Sequence, residues 1–230
     1  MSTSASQTKA TSDMVEKSFR KERPEKQKIP MPSFAEPATQ FTFLIGPGDN
    51  PIKFLVHKEF TCYYSSVLSA AFNGSFVEGQ TQTYRIEDTS PSAFRLFFQW
   101  LYSQKIDVYF LMETGRREAT YGSPTPEESR ALIQTENMDL VELWVLADRL
   151  AIPELQNLAV KHINAIGNLD DPATETFDYI YQNTVYDSPL RRLVVQQCAH
   201  QTDPTRLLRE TTRRRKLGGC GFRCARAILK

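Results

Sequence analysis

Cysteine is scarce in this chain of 230 residues, with four in all: Cys62, Cys198, Cys220 and Cys224. So sparse a set excludes a small disulfide scaffold and fits reduced thiols. Long hydrophobic runs are missing as well. No stretch reaches the roughly 18 apolar residues of a membrane span, and no early hydrophobic signal segment stands in the sequence. The expectation is a cytoplasmic or nuclear protein with no membrane partner. An excess of one charge is absent too. Lys and Arg number 28 against 27 Asp and Glu, a formal charge of +1, so no global field draws the chain to nucleic acid, which is not expected as a partner. Apolar residues make up 40%, and counting the 10 Gly in place of the 9 Tyr leaves that fraction near 40%, short of the roughly 45–50% of ordinary globular chains. Part of the chain is therefore expected to stay unpacked.

Side chains at catalytic or metal-binding spacing are also lacking. His57 has no Cys, His or Asp at ligand spacing beside it. Cys220 and Cys224 form one C-x-x-x-C pair, whereas zinc needs four ligands, and His200 lies 20 residues upstream of Cys220 without support. Cys62 joins none of His57, His162 or His200 in a motif that would mark a thiolate nucleophile. The stretch Gly46–Pro51, GPGDNP, is the nearest approach to a phosphate loop, but no helix opening with Lys-Ser or Lys-Thr follows it. The acidic pairs Glu87-Asp88 and Asp170-Asp171 are turn neighbours, not an arranged acid and base. No catalytic residue, cofactor-binding residue or metal ligand is expected.

What is present is a sequence of amphipathic periods. Residues 1–39, rich in Ser, Thr, Lys, Glu and Pro, are expected to form a disordered arm. From Phe41 the period becomes two: Phe41, Phe43 and Ile45 alternate with Thr42 and Leu44, and Ile52, Phe54 and Val56 with Lys53 and Leu55. Two strands joined at GPGDNP are implied. The period then becomes helical. Phe60, Tyr64, Val67, Leu68 and Ala71 share one face of a helix that Asn73-Gly74 stops. A third strand is expected near Thr83–Ile86. Ser90-Pro91 opens a helix whose stripe is Phe94, Phe97, Phe98 and Leu101. KIDVYF, residues 105–110, is expected as a strand, followed by an inserted loop over about 112–136. A helix from about Asn137 carries Leu140, Leu143, Trp144, Ala147 and Ala151. A second, from Pro153, carries Leu155, Leu158, Ala159, Ile163 and Ile166, making a helical hairpin. Asp171-Pro172 and Ser188-Pro189 open two more helical patterns, the first with Phe177, Ile180 and Tyr181, the second with Leu190, Leu193, Val194 and Cys198. These make a C-terminal helical extension over 167–210. A basic tail over 211–230, with Arg213, Arg214, Arg215 and Lys216, reads as solvated chain, with nuclear import or phosphate contact as the sharper alternatives.

Four strings set in this order resemble the BTB/POZ domain family. FLVHKEF at 54–60 looks like the family's Val-His-Lys element, and SSVLSAAFNGSFVEG at 65–79 like its Ser-x-x-Phe-x-x-x-Phe stretch. FRLFFQWLYSQKI at 94–106 looks like its Phe-x-x-Φ-x-x-Φ-Tyr-Thr-Gly element, and DLVELWVLADRLAIPELQNLAV at 139–160 like its helical hairpin. The style is closest to short BTB proteins of filamentous fungi. Two departures stand out: Ser103-Gln104 replaces Thr-Gly, and the loop after Ile106 is long. The resemblance implies an α+β BTB/POZ fold over 40–166, a small sheet with hairpin-packed helices, followed by the C-terminal extension. It marks Val56, His57, Lys58, Phe60, Leu68, Phe72, Phe76, Phe94, Leu101, Tyr102, Ala147, Asp148 and Leu155 as structural motif positions.

What the resemblance implies about function is partner binding by buried area, through a homodimer or another protein. The N-terminal strand and the helix bearing Phe60 and Tyr64 are the first surfaces it suggests. Leu111-Met112-Glu113 has the hydrophobe-x-Glu form that cullin-binding members use, making Leu111 and Glu113 candidate partner-binding residues. Two roles stay open: a substrate adaptor for a cullin-RING ubiquitin ligase, and a self-associating or transcription-associated scaffold with no ligase link. The tetramerisation domains of ion channels share this fold, but the chain shows no membrane span to go with one.

Overall fold

A computed structural model describes residues 31–112, 125–169 and 174–201. By its contacts the chain divides into two units, Met1–Met31 and Pro32–Lys230, and the elements described here belong to the second. Residues 1–30 of the arm expected over 1–39 and the basic tail over 211–230 lie outside the described residues, as do Cys220 and Cys224 and the side chains of Cys198 and His200.

The alternation in the first strands does what period two requires. β1 (Gln40–Ile45) turns Phe41, Phe43 and Ile45 to one face, where all three are fully buried. β2 (Ile52–His57) pairs with it antiparallel, setting Phe43 opposite Phe54 and Phe41 opposite Val56. Gly46 and Gly48 in the connecting turn take φ of 104° and 73°, the left-handed region that side chains resist. The chain then crosses over through α1 (Lys58–Tyr64), α2 (Ser66–Asn73) and α3 (Val77–Thr81) to reach β3 (Thr83–Ile86). β3 runs parallel to β1, which a tight turn could not achieve. The sheet order is β2-β1-β3.

The single helix expected over Phe60–Ala71 is two. Ser65 leaves the helical region, with φ −125° and ψ 113°, and its buried hydroxyl accepts the Leu68 N–H at 3.0 Å while donating to the Leu150 carbonyl at 2.7 Å. Val67 consequently turns outward rather than joining the stripe.

α4 (Pro91–Ser103) starts as the sequence implies, with the Ser90 hydroxyl accepting the Ala93 N–H and Pro91 in the first turn. It buries Phe94, Phe97, Trp100 and Leu101. The strand expected over 105–110 does not form: the backbone continues irregularly into a 3-10 turn, Tyr109–Leu111. Ile106 and Val108 are buried in alternation, as a strand's would be, but the amides of Tyr109 and Phe110 donate to the Glu136 carboxylate, at 2.5 and 3.2 Å, instead of to a ladder.

α5 (Pro126–Arg149) begins well before Asn137. Thr125 and Glu128 close a capping box, side chain to backbone in both directions. The first half of α5 is largely exposed and carries no apolar stripe, which is why periodicity missed it; the Thr-Pro-Glu-Glu start signal was in plain view. Its second half is buried nearly all round, from Leu140 to Ala147, with α6 (Pro153–Gly167) packed antiparallel against it. Ala151, expected on the α5 stripe, lies exposed in the turn with φ 53°, and Ile152 is buried instead. α7 (Thr174–Asn183) and α8 (Pro189–Gln201) complete the described chain, burying Ile180, Leu190 and Val194 in the same core. The Gln197 side chain donates to the Ile163 carbonyl at 3.2 Å, tying α8 to α6.

Three carboxylates on one face of α5 fasten it to the elements before it, since residues three apart are neighbours on a helix. Glu136 takes the two amides of the 3-10 turn. Asp139 accepts the hydroxyls of Ser92 at 2.6 Å and Ser90 at 3.3 Å, and Glu142 accepts the Ser90 N–H at 2.6 Å. Burial pushes the Glu136 carboxyl above its ordinary value of 4.5, against the pull of the two amides, and burial likewise raises Asp139 above 3.8. An acid whose folded pKa is raised contributes stability below its unfolded pKa and loses it as pH rises through the folded one. Glu136→Gln is therefore expected to reduce the pH dependence. Across the window just above pH 4.5, wild type loses stability relative to the variant as pH rises, read from urea midpoints at a series of pH values. A gap independent of pH would refute the burial account.

Candidate functional site

The motif residues sort cleanly in three dimensions. Val56, Leu68, Phe94, Ala147 and Leu155 are fully buried, and Phe60, Phe72 and Leu101 nearly so. Lys58 sets its ammonium over the Phe41 ring at 5.6 Å. Exposed Asp148 accepts a hydrogen bond from Gln156 at 2.9 Å across the hairpin turn. His57 ends β2, and its main-chain N–H donates to the Tyr102 hydroxyl at 3.0 Å. The same hydroxyl lies 2.8 Å from His57 Nδ1. Having accepted from the backbone, it is free to donate to the ring nitrogen. Burial raises the Tyr102 pKa, the His57 amide pulling the other way. His57 thus ties β2 to α4.

Cys62 is half-buried, and burial lifts its thiol above the ordinary value, the opposite of nucleophilic activation. Among the described residues no group of three or more His, Cys, Asp or Glu could hold a metal, and no helix is long and apolar enough to cross a membrane.

Phe76 is the exception among the apolar motif residues. It is 63% exposed and followed by Val77 at 69%, two large apolar side chains side by side in solvent. The corner between α2 and α3 is built to hold them there. Gly74 and Gly79 approach so closely that a Cβ on Gly79 would run into the Gly74 carbonyl, and one on Gly74 into that of Ala70. Gln82, with φ 52°, then folds its side chain back to donate to the Gly79 carbonyl at 2.5 Å. Scattered exposed apolars need no explanation; here two large ones stand side by side at a corner of close glycine contacts.

The surfaces first suggested by the sequence are not of this kind. Phe41, Phe43 and Phe60 fill the core, and Tyr64 packs on Trp100 with ring centroids 5.0 Å apart. Leu111 is half-buried against the core, and Glu113 lies outside the described residues. Phe76-Val77-Glu78 has the same hydrophobe-x-Glu form, and Gly74 and Gly79 on either side place it at the corner.

The three-stranded sheet with its helical crossover, the aromatic α4 and the amphipathic strings between them coincide with a family match: residues 41–115 match the BTB/POZ domain. Residues 41–115 carry a BTB/POZ domain. That domain is a protein–protein interaction module, and in this chain the α5–α6 hairpin and the α7–α8 pair continue its core beyond the matched residues. A comparison with curated proteins finds no match to the chain.

Proposed function

We propose that the chain is an adaptor whose BTB/POZ domain offers the Phe76–Val77 corner, with Glu78 beside it, to a cullin, joining a bound substrate protein to a ubiquitin ligase. The observation that supports this is the solvent-facing apolar pair at a corner held by glycine contacts. Buried aromatic anchors dominate protein interfaces, and an exposed Phe at a rigid corner needs little reordering to become one. Leu111 and Glu113 share the hydrophobe-x-Glu form in sequence and stand as a second candidate contact. The α7–α8 helices would extend the contact or close the end of the domain.

The test is titration of the full chain with purified cullin by calorimetry. Binding is expected, and the F76A/V77A variant is expected to weaken it at least about tenfold, the loss of about 1.4 kcal/mol or more that truncating an anchor brings. No binding by wild type would sink the cullin role, and unchanged binding by a folded variant would sink the Phe76–Val77 corner as its contact.

A self-associating scaffold without a ligase link is the second reading, favoured by β2. This strand lies at the sheet edge with Ile52 and Leu55 exposed, a template that a second copy could extend. Light scattering at tens of micromolar separates the two: a strictly monomeric mass removes the scaffold.

A further inference from the structure

Just before β1, the segment Pro32–Pro37 does not run free. Phe34 lays its ring on Phe60, centroids 4.5 Å apart, and edge-on against His57 at 5.2 Å, with Tyr102 stacked parallel at 6.2 Å. The Phe34 and Ala35 amides both donate to the Glu59 carboxylate, the second at 3.1 Å. An aromatic ring in an aromatic cleft, with two backbone amides gripped by one carboxylate, is the form of a short-peptide complex made within one chain.

Three features mark the occupant as replaceable. The cleft does not depend on it: His57 and Tyr102 are locked by their own hydrogen bonds, and Tyr102 packs on Phe60 at 4.9 Å and Phe98 at 5.2 Å without the arm. Phe34 fills the cleft poorly, remaining 49% exposed. It also adopts φ 59°, a left-handed conformation unfavourable for a bulky residue and held here only by tertiary contacts. The leash explains that geometry. Thr39 is fixed where its carbonyl accepts the Lys58 N–H at 3.0 Å, and its own N–H donates to the Glu36 carbonyl at 3.0 Å, so the chain must double back within a few residues. A ligand on no such leash avoids the strain.

We propose that the cleft of His57, Phe60 and Tyr102, rimmed by Glu59, is a binding site for a short linear segment of a partner protein, one bearing an aromatic side chain and two consecutive free amides, and that Phe34 occupies it in cis until displaced. This site is separate from the Phe76 corner and stands whether or not a cullin binds there. A short leash holds Phe34 at an effective concentration of roughly 1 mM. A peptide with an intrinsic Kd of about 100 μM, matched by the arm, then binds the intact chain about tenfold more weakly than a chain whose arm cannot dock.

The probe is a labelled peptide of residues 30–39, titrated by fluorescence anisotropy into the full-length wild type, F34S and F34S/E59A chains. F34S is expected to bind about tenfold or more tightly than wild type, and F34S/E59A, or a peptide with Ser in place of its Phe, to lose that binding. Failure of folded F34S to bind overturns the proposal. So does a wild-type dimer that F34S abolishes without gaining peptide affinity, which would assign the cleft to a second copy's arm. Should F34S not fold, amide exchange in wild type decides. Protection at Phe34 and Ala35, lost in E59A, supports the docked arm, and unprotected amides overturn it.

Discussion

Phe94→Ala is expected to lower the unfolding free energy by about 3–5 kcal/mol, the range for truncating a buried aromatic ring. Phe94 is fully buried where α4 meets the sheet, its ring 4.7 Å from that of Phe54, 5.2 Å from Phe97 and 5.3 Å from Phe43. Phe43 lies on the central strand and Phe54 opposite it on β2, so the ring joins both strands to the helix. Removing it takes away transfer energy and leaves a cavity that three ring neighbours, themselves tightly held, cannot fill. A domain of this size has about 5–15 kcal/mol in hand. The variant should unfold at a much lower urea concentration with an unchanged slope, monitored by far-ultraviolet circular dichroism. Phe94→Leu, which keeps most of the volume, should lose clearly less. A loss below about 1 kcal/mol for the alanine variant would mean that the ring is not a core element.

Ser65→Ala comes next, with an expected loss of about 2–4 kcal/mol. Its hydroxyl makes two bonds with different consequences. Losing the N-cap of α2 costs about 0.5–2 kcal/mol, and leaving the Leu150 carbonyl without that buried donor costs about 1–3 kcal/mol. Alanine also favours helix more than serine does, so the variant pulls toward fusing α1 and α2 into the one helix that the periodicity of Phe60–Ala71 would permit. The test combines urea unfolding with amide exchange at Leu68, whose N–H bonds to the Ser65 hydroxyl in the wild type. Exchange at Leu68 should accelerate more than at core amides of α5. Unaltered stability would show that the Ser65–Leu150 link carries no weight.

These two residues also show which parts of the molecule could be read from the chain. Phe94 was legible. It stands at helical spacing from Phe97, Phe98 and Leu101 after a Ser-Pro start, and burial of such a stripe follows from its period whatever lies opposite. The β1 alternation, the turn at Gly46–Gly48 and the hairpin at Pro153 were legible for the same reason, because each is a local pattern with one compatible backbone. The capping box at Thr125 was legible and overlooked, since apolar periodicity starts only later in that helix.

Ser65 was not legible. Its neighbours keep a helical period across it, and the break is favoured by a carbonyl 85 positions away in sequence. The segment over 105–110 looks like a strand because alternation reports burial, whereas a strand also needs an open sheet edge, and Glu136 had already taken the Tyr109 and Phe110 amides. Phe72 and Phe76 look equivalent in sequence, yet one stacks on Phe41 with centroids 3.5 Å apart and the other faces solvent.

The sequence by itself determined the β1 alternation, the α4 stripe, the helical hairpin at Pro153 and the likeness of residues 41–115 to the BTB/POZ domain, because these follow from local periods and motif order. Only the tertiary structure decided which apolar side chains are core and which face solvent, where helices break, and that Phe34 lies in the cleft of His57, Phe60 and Tyr102. Each of these depends on pairings between groups far apart in the chain, whose free energy no local window contains.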